Sequence, residues 1–152
     1  MNNIRLDHIA YRVKNRHKTS LFFKEAFGYK VQQEFIISFD DGSKAQCIAL
    51  EPPEKKDIWT PWTSVLEERT FHLAPEIFVS DGTPNSIVDR WVKEHNNIGG
   101  IHHLAYQVDS VEDTVKEWKS KGWANFTTEN PNVCGGVVQI FSEPNPITNV
   151  VY

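Results

Sequence analysis

Cysteine is scarce in the 152 residues: there are two, Cys47 and Cys134, and they form no recognisable metal-binding spacing. A disulfide-framed scaffold is not the expectation; a cytoplasmic protein with reduced thiols is. Long apolar runs are missing too. Nothing approaches the length of a membrane span, and the opening MNNIRLDHIAYRV lacks the charged-then-apolar layout of a signal peptide. Positive charge is in deficit, with 16 Lys+Arg against 20 Asp+Glu and a pI near 5.8. That balance leaves no basic footprint for nucleic acid. What the chain does have is core material: 39% hydrophobic residues and 12% aromatics, on a length that suits one compact domain or two half-domains sharing a core.

The most informative pattern is a repeat. LDHIAYRV, from Leu6, returns as IHHLAYQV, from Ile101. Both copies carry a histidine, an aliphatic residue, Ala, Tyr and a closing Val. A helix-like stretch and a turn pairing glycine with an aromatic residue follow each. Internal repetition constrains the architecture before any local reading does. Here it sets His8 and His103 at equivalent points of two similar halves, which a pseudo-twofold arrangement could bring to one site.

Residues 5–13 alternate around His8 and are rich in Ile, Tyr and Val, which predicts a strand. Residues 18–27 predict a short helix whose apolar face pairs Phe22 with Ala26 and Phe23 with Phe27, stopped by Gly28. Residues 31–39 and 44–51 read as a hairpin around Asp40–Ser43. The pattern then breaks into an inserted loop carrying Trp59 and Trp62, either a lid over an apolar substrate or an anchor to the surface or a second subunit. Strand character resumes at 71–79. Thr83-Pro84 predicts a helix start, running to about Asn96. A strand at 101–108, a helix at 111–121, a short strand near 124–128, another at 137–141 and a last from about Asn149 repeat the order. The expected organisation is a single α+β domain over 1–152. It comprises two β-α-β-β-β modules, about 4–82 and 99–152, a linking helix near 84–96 and an insertion at 52–70.

Two such modules, each opening on a strand with a histidine, resemble the vicinal-oxygen-chelate superfamily of glyoxalase, bleomycin-resistance and dioxygenase proteins. The resemblance is carried by LDHIAYRV, by VDRWVKEHNNIGG running into IHHLAYQV, and by Gly135-Gly136 before VVQIF. Within it the look is that of the methylmalonyl-CoA epimerases, and the hydroxyphenylpyruvate-dioxygenase-like oxygenases share the fold and similar motifs. The resemblance implies a cupped mixed sheet around a divalent metal ion (Co, Zn, Ni, Mn or Fe). The implied substrate is a small anion with adjacent oxygens, and epimerase or isomerase chemistry leads, with oxygenase chemistry as runner-up. The alternative is a non-catalytic, drug-sequestering binder of the same fold. Superfamily modules often pair across chains, so a homodimer is one expected arrangement; neither a nucleic-acid nor a membrane partner is expected.

Strict strand alternation puts His8, Ala10 and Arg12 on one face, and groups His103, Ala105 and Gln107 likewise. Imidazoles on that face suit a transition metal. The same alternation sends His102 to the opposite face and assigns nothing to His17 and His95. An arginine facing a barrel interior requires an anion, so Arg12 is expected to meet either substrate or a carboxylate such as Glu76 or Glu34. By resemblance, the last strand of each module adds a ligand. Glu76 is the candidate in the first, after one residue of slip from Ile77, with His72 as a substitute. The matching position of the second module falls directly after Tyr152. Resemblance also puts a catalytic base of the third strand near Gln46, a residue that binds substrate but takes no proton. The expected site is thus His8, Glu76 and His103 for metal, with Arg12, Gln46 and Gln107 for substrate.

Overall fold

The computed structural model describes residues 4–53, 74–134 and 136–152. Trp59, Trp62 and His72, and the 52–70 insertion from residue 54 onward, lie outside the described residues. The first strand, β1 (Ile4–Val13), leads into α1 (Arg16–Phe27). Asn15 caps that helix two residues earlier than the apolar pattern suggests, its side chain accepting from the Lys18 amide at 2.8 Å. Gly28, at φ 74°, closes it: its amide reaches the Lys24 carbonyl while Tyr29 reaches Phe23. The hairpin is as expected, with β2 (Lys30–Ser38) and β3 (Lys44–Glu51) joined across Phe39–Ser43.

The next strand, β4, runs Glu76–Gly82, further along the chain than the 71–79 expected. Thr83-Pro84 therefore forms a turn rather than a helix start. The helix, α2, is Ile87–Glu94, capped by Ser86, whose hydroxyl accepts from the Asp89 amide. It stops short of Asn96 because Asn96 and Asn97 adopt positive φ. β5 (Gly99–Val108) and α3 (Val111–Ser120) follow. The strand expected near 124–128 reduces to a single bridge from Phe126 to Ser142, and the region before 137 folds instead as a small hairpin of β6 (Asn132–Cys134) and β7 (Val137–Gln139).

Five strands form one mixed sheet in the order β2-β3-β4-β1-β5. β1 lies parallel to β4 and antiparallel to β5, so the two repeats meet edge to edge along a seam. Near the chain's end Val151 bridges β5 in parallel at His103, the same sense in which β4 flanks β1.

The alternation of β3 sorts the two sides of the sheet. Ile48 and Leu50 point to the α1 side, where they pack with Val13, Phe23, Tyr29, Ile77 and Val79, and with the partly buried Ile9 and Tyr11. Arg16 pins the start of α1 to the end of β4: its guanidinium meets Asp81 Oδ1 at 2.8 Å and its amide meets Oδ2 at 2.9 Å. The opposite side carries the small residues Ala45, Cys47 and Ala49. At its far end α2 covers Ala45 with Val88 and Val92, beside Ile37, Phe39 and Trp91. The rest of this second side is the face that holds the histidines.

Gly99, where α2 hands over to β5, has φ 89°, and a Cβ there would lie 2.0 Å from the Arg12 carbonyl oxygen. Neither the dihedral nor the approach tolerates a side chain. Gly99→Ala is expected to destabilise the protein by about 1–3 kcal/mol, read in urea unfolding as a lower midpoint at unchanged slope.

Candidate functional site

The site is set by two irregularities in the seam. Pairing of β1 with β5 steps from Leu6↔Tyr106 to His8↔Ala105, leaving Asp7 as an extra residue, and from Ala10↔His103 to Tyr11↔Ile101, leaving His102 as another. Each is a β-bulge, which breaks the period-2 alternation and re-aims the side chains around it. The two bulges occupy the same place in the two repeats, one residue before the repeated histidine. Each delivers a polar side chain to the Nδ1 atom of the histidine that follows. Asp7 Oδ2 lies 2.9 Å from His8 Nδ1. His102 Nδ1 lies 2.9 Å from His103 Nδ1. The expectation that His102 faces away is thus overturned: the extra residue cancels one step of alternation and brings its ring edge-on to His103.

Across the seam, His8 and His103 stand on one face with ring centroids 5.6 Å apart, beside Ala10 and Ala105, whose small side chains leave room. Phe78 of β4 stacks on His8 at 3.9 Å, and Phe35 of β2 meets Phe78 edge-on. Phe141 meets His103 edge-on at 5.0 Å. On the α2 side, Trp91 touches His102 edge-on and stacks on His95. The Arg12 guanidinium lies 6.0 Å from the Phe39 ring and 5.9 Å from Trp91. This face of the sheet, the cup, thus carries two imidazoles among aromatic rings, with the Arg12 cation beside Phe39 and Trp91.

Burial dominates the electrostatics. It drives His103 from 6.5 down to about 3, helped by the nearby His102, His8 and Arg12. His102 is likewise lowered to about 3, by burial first and then by Arg12 and His95. Both are neutral imidazoles with a lone pair to offer at physiological pH. Burial also lowers Arg12 to about 10, which leaves it charged, and pushes the Cys47 thiol up to about 12, which makes it a poor proton acceptor.

Of the six residues expected in the site, the structure gathers His8, His103 and Arg12. Glu76 is the direct register partner of His8 on the neighbouring strand, but its carboxylate turns to Gln32 Nε2 at 3.5 Å. Among the described residues, no three His, Cys, Asp or Glu side chains come close enough to hold a metal ion as they stand. Gln46 pairs in register with Asp81 and alternates with Cys47, so it lies on the α1 side and away from the cup. The residues of β3 with cup-side parity are Ala45, Cys47, Ala49 and, at the strand's end, Glu51. Gln107 sits on the exposed end of the seam and accepts from Arg5 Nη2 at 2.6 Å. Arg12 has no ion pair with Glu76, Glu34 or any other described carboxylate, and aromatic faces take that place. Register also places Val151 opposite His103 as Glu76 stands opposite His8, so Val151, rather than the position after Tyr152, is the equivalent of Glu76.

Sequence reasoning missed Asp7, His102, Phe78 and Trp91. A signal existed for the first two: the polar residue ahead of each repeated histidine is itself repeated in position, as Asp-His and His-His. Bulges leave no other trace in composition or period, and Phe78 and Trp91 are indistinguishable in sequence from ordinary core aromatics.

Residues 7–137 match the model of the glyoxalase/bleomycin resistance protein/dioxygenase superfamily. The chain belongs to this family. No match was found among curated proteins. Solved structures similar to it include a methylmalonyl-CoA epimerase at 21% identity, with 91% of this chain and 85% of that one covered and a TM-score of 0.66. A hypothetical protein from Bacillus halodurans is 19% identical over 99% and 91% of the two chains, with a TM-score of 0.67. A Streptomyces coelicolor methylmalonyl-CoA epimerase in complex with 2-nitronate-propionyl-CoA is 17% identical over 97% and 90%, at 0.63. At these identities the shared property is the fold.

The lowered values of His102 and His103 have a thermodynamic consequence. Between about pH 6.5 and pH 3 the unfolded chain binds protons that the folded one excludes. The stability due to the neutral pair is therefore complete above pH 6.5 and declines as pH falls, by up to about 1.4 kcal/mol per pH unit for each histidine. Urea unfolding at pH 7.5, 6 and 5 is expected to show this decline, and a His102→Asn/His103→Asn double variant a shallower one. Equal slopes for the two proteins would contradict it.

Proposed function

We propose that this protein is a divalent-metal-dependent enzyme that acts in the cup on a small anionic substrate with two adjacent oxygens, by epimerase- or isomerase-like chemistry. The observation that carries this reading is the state of the two histidines. Nδ1 of each is already engaged, by Asp7 in one repeat and His102 in the other. The Asp7–His8 contact is the outer-shell pattern of a metal-ligating histidine, which leaves Nε2 as the donor atom, and His103 would match it with His102 as the acceptor. The donor set fits a metal ion in part: His8 and His103 would hold it, and Glu76, in register beside His8, would join after turning from Gln32. Such an ion supplies Lewis acidity to substrate oxygens. Co, Zn, Ni, Mn and Fe all suit imidazole with a carboxylate.

Arg12 would bind the anionic end of the substrate. It is charged and half-buried at the α2 end of the cup, and no described carboxylate competes for it. Phe78, Phe35 and Phe141 would exclude water around an apolar portion. The structural likeness to methylmalonyl-CoA epimerases supports an acyl-thioester substrate and proton exchange at the carbon beside its carbonyl. The protein would work as a cytoplasmic single domain of two modules, 4–82 and 99–152, and as a monomer or a homodimer.

One observation favours a second reading, a non-catalytic binder of the same fold. Of the residues that β3 turns to the cup, Ala45, Cys47, Ala49 and Glu51, only Glu51 at the strand's end could accept a proton, and the Cys47 thiol is pushed up to about 12.

Both readings meet in one experiment. Purified protein is titrated with Co(II), then incubated with racemic methylmalonyl-CoA in D2O. Tight Co(II) binding is expected, weakened more than about a hundredfold in His8→Ala and His103→Ala, with deuterium entering at the carbon beside the thioester. Failure to bind Co(II) would sink the metalloenzyme. Binding of the thioester without deuterium uptake would favour the binder.

A further inference from the structure

The two bulge residues are not chemically equivalent, and the difference bears on His103. Asp7 presents a carboxylate, which accepts only, so His8 must carry its proton on Nδ1 to make the 2.9 Å contact. His102 presents an imidazole, whose Nδ1 either gives or accepts a proton bond. The 2.9 Å separation between His102 Nδ1 and His103 Nδ1 therefore admits two arrangements of two neutral rings. In one, His103 donates from Nδ1 and its Nε2 lone pair faces the cup. In the other, His102 donates, His103 carries its proton on Nε2, and the lone pair is spent inside the pair. Only the first makes His103 the counterpart of His8.

We propose that His102 is the positioning residue of the second repeat: it accepts the Nδ1–H of His103 and so holds that imidazole in the tautomer whose Nε2 is open to the cup. Three observations converge on it. The bulge that presents His102 is the seam-mate of the bulge that presents Asp7, one residue before the repeated histidine in each case. The contact is made to the same ring atom in both repeats. Trp91 of α2 also meets His102 edge-on, at 5.3 Å, so the ring is packed as well as hydrogen-bonded. His102 thereby does with a neutral acceptor what Asp7 does with a carboxylate, and the cup receives two like-oriented donors from unlike partners. The inference rests on the reading of His8 and His103 as a donor pair, and the test separates the two.

Long-range proton–nitrogen correlation spectra of the metal-free full chain report which ring nitrogen carries each proton. His8 and His103 are both expected as Nδ1–H, and His102 as Nε2–H. His102→Asn keeps an amide oxygen close to the place of the lost Nδ1, so His103 is expected to stay Nδ1–H. His102→Phe keeps the ring and removes the acceptor. There His103 is expected to populate the Nε2–H form, with Co(II) affinity falling by about 10–100-fold while His102→Asn retains most of it. A wild-type His103 protonated on Nε2, or a His103 tautomer unmoved by His102→Phe, would overturn the proposal. If the tautomers behave as expected and wild-type protein ignores Co(II), the positioning role stands and the metal reading falls. Should His102→Phe not fold, the wild-type and His102→Asn spectra still decide the tautomer of His103.

Discussion

The antiparallel seam between β1 and β5 is the constraint on which the rest of this molecule depends. A regular seam would present alternate residues to alternate faces, and each repeat would offer the cup side one histidine and nothing to hold it. Two bulges placed symmetrically about the seam change that. Each adds one residue, so Asp7 joins His8 and His102 joins His103 on the same side. The disruption of the ladder is local, because β1 stays paired with β4 through the whole stretch from His8 to Arg12. Bulges concentrate at sheet edges, and β5, which carries the second of them, is the edge strand of the five-stranded sheet.

The side opposite the cup supplies the stability that permits this. Ile48, Leu50 and Val79 are almost wholly removed from water beneath α1, and each large aliphatic side chain buried in this way contributes about 1.5–3 kcal/mol. Arg16 and Asp81 tie the first turn of α1 to the end of β4, fixing how the helix crosses the sheet. The cup side is built on a different principle: small residues on β3, aromatic walls, Arg12 at the α2 end, and the carboxylates of Asp7 and Glu76 beside His8. Burial there is used less for adhesion than for electrostatics. It keeps His102 and His103 neutral and leaves Arg12 charged among aromatic faces.

The two repeats share the opening strand, its bulge and the helix that follows, then diverge: β1–β4 all join the five-stranded sheet, whereas β6 and β7 form a sheet of their own. Asp7 against His102, Arg12 against Gln107, and Glu76 against Val151 occupy matched positions with unlike side chains. The first repeat carries the carboxylates and the cation, and the second contributes imidazoles and apolar contacts. A pseudo-symmetric seam thus holds an asymmetric set of side chains.

Much of this was legible in the chain itself. The repeat disclosed two similar halves, and the alternation of Ile9, Tyr11 and Val13 against His8, Ala10 and Arg12 identified which face of β1 packs and which faces the cup. Those features depend on period and on residue type, which are local properties. Three others were beyond local reading. A bulge is a mismatch between two strands distant in sequence, so the turn of His102 toward His103 exists only once β1 and β5 are paired. The placement of Gln46 in the site by resemblance failed because the face of β3 is fixed by what packs beneath α1. The partner of Arg12 proved to be aromatic because α2 brings Trp91 across the sheet. The sequence by itself determined the repeated opening strand and its two histidines. Tertiary pairing alone decided what each histidine touches, because register is a property of two strands and never of one.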